Sequence, residues 1–225
     1  MALILPEQFP TADRPNRADQ TPAGGPWSGV GAWGTVNGMR VVGNELAILS
    51  TGSWQDDLLT ASFDRSVAPV VSGFEVSAPA TVPIFFLWLA VPGSEGNPSG
   101  YSFRYEAGSL ALRVYTGGDY DDVGATLSVA LTGGSAIAMS VEPTGEVVAW
   151  TRLSGVWTGT LIAVDTTHMG ALKPGWETTA TGIRIPWFYG GYAKPLRVGS
   201  GLYDNFNRSN VGPPPGPKWV TGQIF

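Results

Sequence analysis

The sequence has no cysteine and a single histidine, His168. Disulfides are therefore excluded, and thiol nucleophiles, iron–sulfur clusters and the usual zinc sites lose their ligands. Charge is scarce too: only 14% of the residues are charged, and 13 lysines and arginines stand against 18 acidic residues, for a formal net charge of −5. Without a basic excess to neutralise phosphates, neither nucleic acid nor an anionic membrane is expected as a partner. Long hydrophobic runs are missing as well. The longest, Val82 to Val91, contains Pro83 and falls far short of the ~20 residues a membrane helix needs. The opening Met-Ala-Leu-Ile-Leu-Pro has neither a basic leader nor an apolar stretch of signal-peptide length, so synthesis in a cytoplasm without membrane insertion is expected.

Turn formers and aromatics are abundant instead. The 225 residues include 31 Gly and 18 Pro, a content that approaches low-complexity sequence, yet also nine Trp, nine Phe and seven Tyr. So many large apolar groups require burial or use. The combination predicts short strands joined by turns around a core that needs no covalent staple.

Residues 1–38, rich in Pro, Gly and small polar residues, read as an extended arm. From 39 to 200 the pattern is strand, turn, strand. Strands are predicted at 40–49, 59–64, 70–76, 83–91, 101–106, 110–115, 126–131, 137–142, 147–152, 156–164, 182–189 and 196–198. Tyr101-Ser102-Phe103-Arg104-Tyr105 and Leu110-Ala111-Leu112-Arg113-Val114-Tyr115 alternate and should bury one face. Phe85-Phe86-Leu87-Trp88-Leu89-Ala90 is continuous, as in a central strand covered on both faces. Turn signals every eight to twelve residues predict an all-β protein, an antiparallel β-sandwich. Residues 201–225 read as a C-terminal linker or arm, with a polyproline-like spacer at Pro213-Pro214-Pro215-Gly216-Pro217.

Part of the chain repeats. Asp13-Arg14-Pro15-Asn16-Arg17-Ala18-Asp19, followed by Trp27, returns as Asp204-Asn205-Phe206-Asn207-Arg208-Ser209-Asn210, followed by Trp219. The second copy has the opening without the body, as at the start of a second repeat domain.

The Asp-x-Phe-Asn-Arg-Ser-Asn element with its later Trp, Gly-Tyr-Ser-Phe-Arg-Tyr at 100–105, and Val164-Asp165-Thr166-Thr167 leading to Lys173-Pro174-Gly175-Trp176 together resemble the concanavalin A-like, laminin-G-like jelly rolls of tailed-phage minor tail proteins. Ten Arg against three Lys also suits a high-GC genome. The resemblance implies a non-enzymatic virion protein, oligomeric within the particle, whose partners are other virion proteins and host-surface glycan. Three positions depart from the family pattern, Pro15 for a Phe and Pro186-Trp187 for a pair of acids, so no ligand set is carried over to that end of the sandwich. The β-glucanases of this fold carry Glu-x-Asp-x-x-Glu on one strand. That triplet is missing, the nearest pairs being Asp119 with Asp121 and Glu142 with Glu146, so no catalytic residue is assigned.

The candidate binding residues are few. Asp119, Asp121 and Asp122, read as a loop between Gly118 and Gly124, are oxygen donors that could ligate Ca2+, as lectin-type sandwiches often do; no other cofactor is expected. In the run Trp187-Phe188-Tyr189-Gly190-Gly191-Tyr192, strand alternation puts Trp187 and Tyr189 opposite Phe188. Trp187, Tyr189 and Tyr192 are thus candidates for stacking on a sugar ring or anchoring a protein partner. Gly29-Val30-Gly31-Ala32-Trp33-Gly34 matches the dinucleotide fingerprint only in letters, because no helix follows. His168 reads as a polar loop residue. Two rival readings are a capsid decoration or other structural head protein that uses the arm to span subunits, and a free carbohydrate-binding module.

Overall fold

Short alternating segments separated by turns leave the chain few ways to satisfy its backbone other than antiparallel pairing. The computed structural model describes residues 9–20, 23–34, 39–48, 54–77, 84–180 and 182–193. All lie in the compact unit Ile4–Pro195; a second unit, Met1–Leu3 with Leu196–Phe225, is outside the described residues, together with the second repeat copy, the expected strand 196–198 and the proline-rich spacer.

The described residues form no helix and these strands: β1 (Thr11–Asp13), β2 (Met39–Val42), β3 (Glu45–Ile48), β4 (Gln55–Leu58), β5 (Phe63–Asp64), β6 (Val70–Glu75), β7 (Phe85–Ala90) and β8 (Gly100–Glu106). They continue with β9 (Ser109–Thr116), β10 (Asp119–Ser128), β11 (Ala136–Val141), β12 (Glu146–Arg152), β13 (Trp157–Val164), β14 (Ala171–Thr178) and β15 (Trp187–Tyr192). One six-stranded sheet runs β1-β15-β6-β11-β12-β13, and a seven-stranded sheet runs β10-β9-β8-β7-β14-β4 with β5 beside β14. β2 and β3 make a separate hairpin.

The expected all-β antiparallel sandwich is found, with differences in its detail. The strand expected at 40–49 is two, because Gly43-Asn44 takes positive φ and turns the chain. β14 was not among the expected strands. It is nonetheless internal, pairing with β7 along Lys173–Thr178. A proline normally interrupts a ladder. Here Pro174 pairs with Leu89 on one side while its carbonyl, on the other, accepts the Leu59 N–H (2.8 Å) between the end of β4 and the start of β5. An antiparallel residue points its N–H and C=O to the same side, so the missing donor falls in that gap.

β7 is buried throughout, as its continuous apolar run predicts. Phe85, Leu87 and Leu89 join the central core, while Phe86, Trp88 and Ala90 form a second apolar layer on the outer face. Between the sheets, Phe74 of β6 meets Phe85 edge-on (4.8 Å) and Trp176 of β14 (5.9 Å), and Tyr105 of β8 stacks on Phe85 (5.0 Å, 13°). Each such fully buried side chain contributes about 1.5–3 kcal/mol of transfer free energy. One end of the sandwich is closed by a polar knot. The fully buried Arg65 guanidinium donates to Tyr101 Oη (2.6 Å) and to the carbonyls of His168 and Asp165, and Tyr101 donates to Asp165 Oδ1 (2.9 Å).

Within the segment read as an arm, β1 extends the six-stranded sheet by pairing with β15. Phe9 packs edge-on against Trp150, Trp157 and Tyr189 on that sheet's outer face. The repeated residues prove to be one another's partners. The buried Asp13 carboxylate accepts both terminal nitrogens of Arg17 (2.8 and 3.0 Å) and Trp27 Nε1 (2.8 Å), while Arg17 also donates to the Ala23 carbonyl. Trp27 then meets Phe188 in the core at 4.8 Å. Asp13, Arg17 and Trp27, each matched in the second copy, are thus bonded to one another, and Trp27 anchors them to the sandwich core.

Asp13→Asn keeps the shape of this knot but removes the charge facing Arg17. A loss of about 1–3 kcal/mol in urea unfolding is expected, and an unchanged midpoint would count against the knot.

Candidate functional site

The pleat and register order the outer face of the seven-stranded sheet into rows. One row reads Asp56 (β4), Glu177 (β14), Phe86 (β7), Arg104 (β8) and Ala111 (β9). The next holds Leu58, Gly175, Trp88, Ser102, Arg113 and Asp122, and a third ends on Tyr115 and Tyr120. Above these rows lies a cleft of about 540 Å3 lined by Phe86, Tyr115, Tyr120, the four ionisable residues Asp56, Glu177, Arg104 and Arg113, and two loop tryptophans, Trp33 and Trp54. Both tryptophans are 38% exposed, so their rings are available to a ligand.

Trp33 reaches this face because the chain wraps around the edge of β4. Trp27 is inside the core; Ser28 N–H then donates to the Leu58 carbonyl (2.9 Å), and Leu58 N–H donates to the Val30 carbonyl (3.3 Å). Two consecutive carboxyl groups hold the wrap. Asp57 Oδ1 accepts Ser28 Oγ–H and Gly29 N–H, each at 3.1 Å, and Asp56 Oδ2 accepts Trp33 N–H at 3.0 Å. Trp33 then lies edge-on to Trp88 (6.4 Å) and Tyr115 (5.9 Å). The three glycines of the Gly29–Gly34 stretch are needed for this path. Gly29 and Gly34 take φ of +79° and +69°, and a Cβ on Gly31 would lie 1.8 Å from the Asp56 carboxyl carbon. The resemblance to a nucleotide-binding fingerprint arises from wrapping a strand edge.

At the acidic end, Glu177 sits directly opposite Asp56 and accepts Trp88 Nε1–H (2.8 Å). Burial, and then the neighbouring Asp56, push its carboxyl up to about 8. Burial also raises Asp57, to about 7, against the opposing pull of its Ser28 and Gly29 bonds. At the other end, Arg113 lies over the Tyr120 ring (3.9 Å) and pairs with Asp122 (3.1 Å), and Arg104 pairs with Glu106. Ser102, opposite Arg113, keeps a buried hydroxyl with no hydrogen-bond partner among the described residues.

Of the residues singled out from the sequence, only Asp122 touches this cleft, through Arg113, and the rest lie elsewhere. Trp187 and Tyr189 share the outer face of the six-stranded sheet, opposite the buried Phe188, with Phe9 against Tyr189 and Arg14 over Trp187 (4.5 Å). Tyr192 instead meets Phe63 (5.2 Å) and its hydroxyl accepts the Asp64 N–H. Asp119, Asp121 and Asp122, expected on a loop, belong to strand β10: the two-residue turn Gly117-Gly118, with both φ positive, lets pairing resume at Asp119. Alternation points Asp121 away from Asp122, and Asp122 is engaged by Arg113. These three carboxylates do not converge as a Ca2+ site requires, and no group of three or more potential ligands for a metal occurs among the described residues. His168 is a polar loop residue as expected, with Nε2 2.6 Å from the Tyr115 carbonyl.

Sequence reasoning did not find Trp33, Trp54, Asp56, Glu177, Arg104 or Arg113. Two signals were available. The polar members of the alternating strands β8 and β9 are these arginines, and the both-faces-buried β7 requires a cover on its outer side.

The fold is the lectin-like jelly roll, an antiparallel sandwich without helix. Among its structural neighbours are domains solved with bound saccharide and a carbohydrate recognition domain. The VIP36 exoplasmic/lumenal domain in its Ca2+/Man2-bound form is 10% identical, with 88% of this chain and 92% of that chain covered and a TM-score of 0.58. Its Ca2+/Man3GlcNAc-bound form gives 9%, 82%, 94% and 0.57. The potassium-bound Emp46p carbohydrate recognition domain gives 9%, 82%, 97% and 0.54. No family model and no curated protein matches the chain.

Three buried carboxyls hold protons that the unfolded chain would release: Glu177 up to about 8, Asp57 to about 7, and Glu142, raised to about 7 by burial and Glu146. Between their ordinary and raised values the folded state binds more protons, so rising pH favours unfolding. The lowered carboxyls, Glu95 and Asp165, act only at more acidic pH. The melting temperature should therefore fall as pH rises from about 5 to about 8, with Glu177→Gln flattening the upper part of the fall. A melting temperature that rises across this range would contradict the assignment.

Proposed function

We propose that this chain is a non-catalytic glycan-binding module of a bacteriophage particle, a minor tail protein that engages host-surface saccharide through the cleft on its seven-stranded sheet. The observation that carries the reading is the cleft itself. It presents Trp33, Trp54 and Tyr120, each more than a third exposed, above a buried layer of Phe86 and Tyr115, with the guanidinium groups of Arg104 and Arg113 at one end, on a sandwich whose structural neighbours include domains solved with bound saccharide. Flat aromatic faces match the C–H faces of pyranose rings, and polar groups at the margins match their hydroxyls.

Support for a binding rather than a hydrolytic role comes from the carboxyl pair. A glycosidase needs its two carboxyls on either side of the scissile bond, with room for water or sugar between them. Asp56 and Glu177 are cross-strand neighbours, 1% and 3% exposed, and Gly31 packs directly on Asp56. The virion setting is supported by the opening motif shared by the two repeat copies and by the order of the jelly-roll motifs along the chain. Low charge and abundant aromatics suit a chain whose apolar patches meet neighbouring virion proteins in an oligomeric assembly.

The test is saturable binding of the fluorescently labelled chain to whole bacteria of a candidate host, with envelope polysaccharide as competitor. Trp54→Ala, which leaves the sheet intact, should weaken binding by about tenfold, whereas Trp187→Ala on the opposite sheet should leave it unchanged. Loss with Trp187→Ala alone would move the site to the six-stranded sheet. No binding by a folded chain would remove the reading.

A further inference from the structure

Charge is distributed along the cleft in one direction, and that order narrows the ligand class. We infer that the cleft selects acidic saccharides, with Arg104 and Arg113 jointly holding an oxyanion carried on the sugar ring; this rests on the glycan-binding reading above.

Register places the two arginines as diagonal neighbours on one face, since Arg104 is opposite Ala111 and Arg113 is opposite Ser102. Their Cβ atoms are thus roughly 7 Å apart. Their own partners flank the pair rather than separate it. Glu106 lies toward the end of β8, and Asp122 lies on the outermost strand with its side chain 66% exposed. Two guanidinium groups side by side repel each other, and an anion bridging them removes that cost.

Both groups retain donors for such a bridge. Each guanidinium carries five N–H groups. The salt bridge of Arg104 uses Nη2, that of Arg113 uses Nε, and Arg113 has a further hydrogen bond with Tyr115. Arg113 is also held in place before any ligand arrives: its side chain is 13% exposed, 3.9 Å above the Tyr120 ring and 5.7 Å from that of Phe86. A donor fixed in advance loses little entropy on binding.

The rest of the cleft is compatible with an anion. Phe86 separates Glu177 from Arg104 in the same row, and Trp54 stands edge-on to Phe86 at 5.2 Å. A ring lying along Phe86 and Trp54 therefore presents one margin to the arginines. The opposite end contributes less negative charge than two carboxyls would suggest, because burial and Asp56 keep a proton on Glu177 at neutral pH.

The oxyanion has two sources, a uronic acid carboxylate or a sulfate or phosphate ester, and the experiment separates them. Isothermal titration of the full chain with dextran, dextran sulfate and polygalacturonate should give at least about tenfold tighter binding for one or both acidic polymers. Preference for polygalacturonate assigns the carboxylate, and preference for dextran sulfate assigns the ester. Arg104→Gln, at a half-exposed position that should fold normally, and Arg113→Gln should each lose about tenfold on the acidic polymer with little change on dextran. Arg14→Gln, on the other sheet, removes the same unit of charge and should change neither. Equal affinity for dextran and the acidic polymers, insensitive to Arg104→Gln, overturns the inference while leaving glycan binding standing. An effect of Arg14→Gln as large as that of Arg104→Gln also overturns it, since attraction would then be non-local. If a folded chain binds no polymer of any kind, the glycan reading fails as well.

Discussion

Asp56 and Asp57, adjacent in sequence and opposite in direction, hold one loop from both sides of an edge strand. Everything on the outer face of the seven-stranded sheet follows from that grip. Because the loop crosses the edge of β4, Trp27 can fill the core against Phe188 while Trp33, six positions later, covers Trp88 and Tyr115 on the far side. The wrap also occupies backbone groups of β4 that would otherwise be an open edge, through the Ser28–Leu58 and Leu58–Val30 bonds.

Covering the second face makes this sheet unlike the usual half-solvated antiparallel sheet. Trp88 is fully buried yet lies outside the main core, in a layer with Ala32, Leu58, Phe86 and Tyr115. Burial in that layer also explains the acid–base character of the site. Glu177 enters a region with little water and faces Asp56, so its neutral form is favoured, and the Trp88 indole N–H supplies a partner for its oxygen. Each arginine at the other end has an acidic partner, Glu106 for Arg104 and Asp122 for Arg113.

The fold class was legible in the sequence because the strand periods and turn spacing are local properties. The alternation at 101–105 and 110–115 and the continuous run at 85–90 each match what those strands bury. The strand β14 was hidden by Pro174, whose tolerance depends on a gap between two other strands that no local pattern reveals. The site was illegible for a similar reason. Asp56, Phe86, Arg104, Glu177 and Trp33 come from five separate parts of the chain and become neighbours only through cross-strand register and the wrap. The aromatic run at 187–192 drew attention by its density, but density in sequence is divided by the pleat: Phe188 faces the core, and Trp187 and Tyr189 face outward.

The wrap has a further consequence for how such a cleft can change. Phe86, Arg104, Arg113 and Tyr115 are fixed by the hydrogen-bonded ladder, and moving any one of them shifts a whole strand. Trp33 is fixed differently, by two carboxyls and two main-chain bonds on one short strand. Exchanging side chains in the segment from Val30 to Trp33, beyond the core residue Trp27, therefore alters the depth and mouth of the cleft while the ladder keeps its register. The ladder and the mouth of the cleft are thus built from separable pieces of chain, and the mouth can be reshaped without rebuilding a sheet.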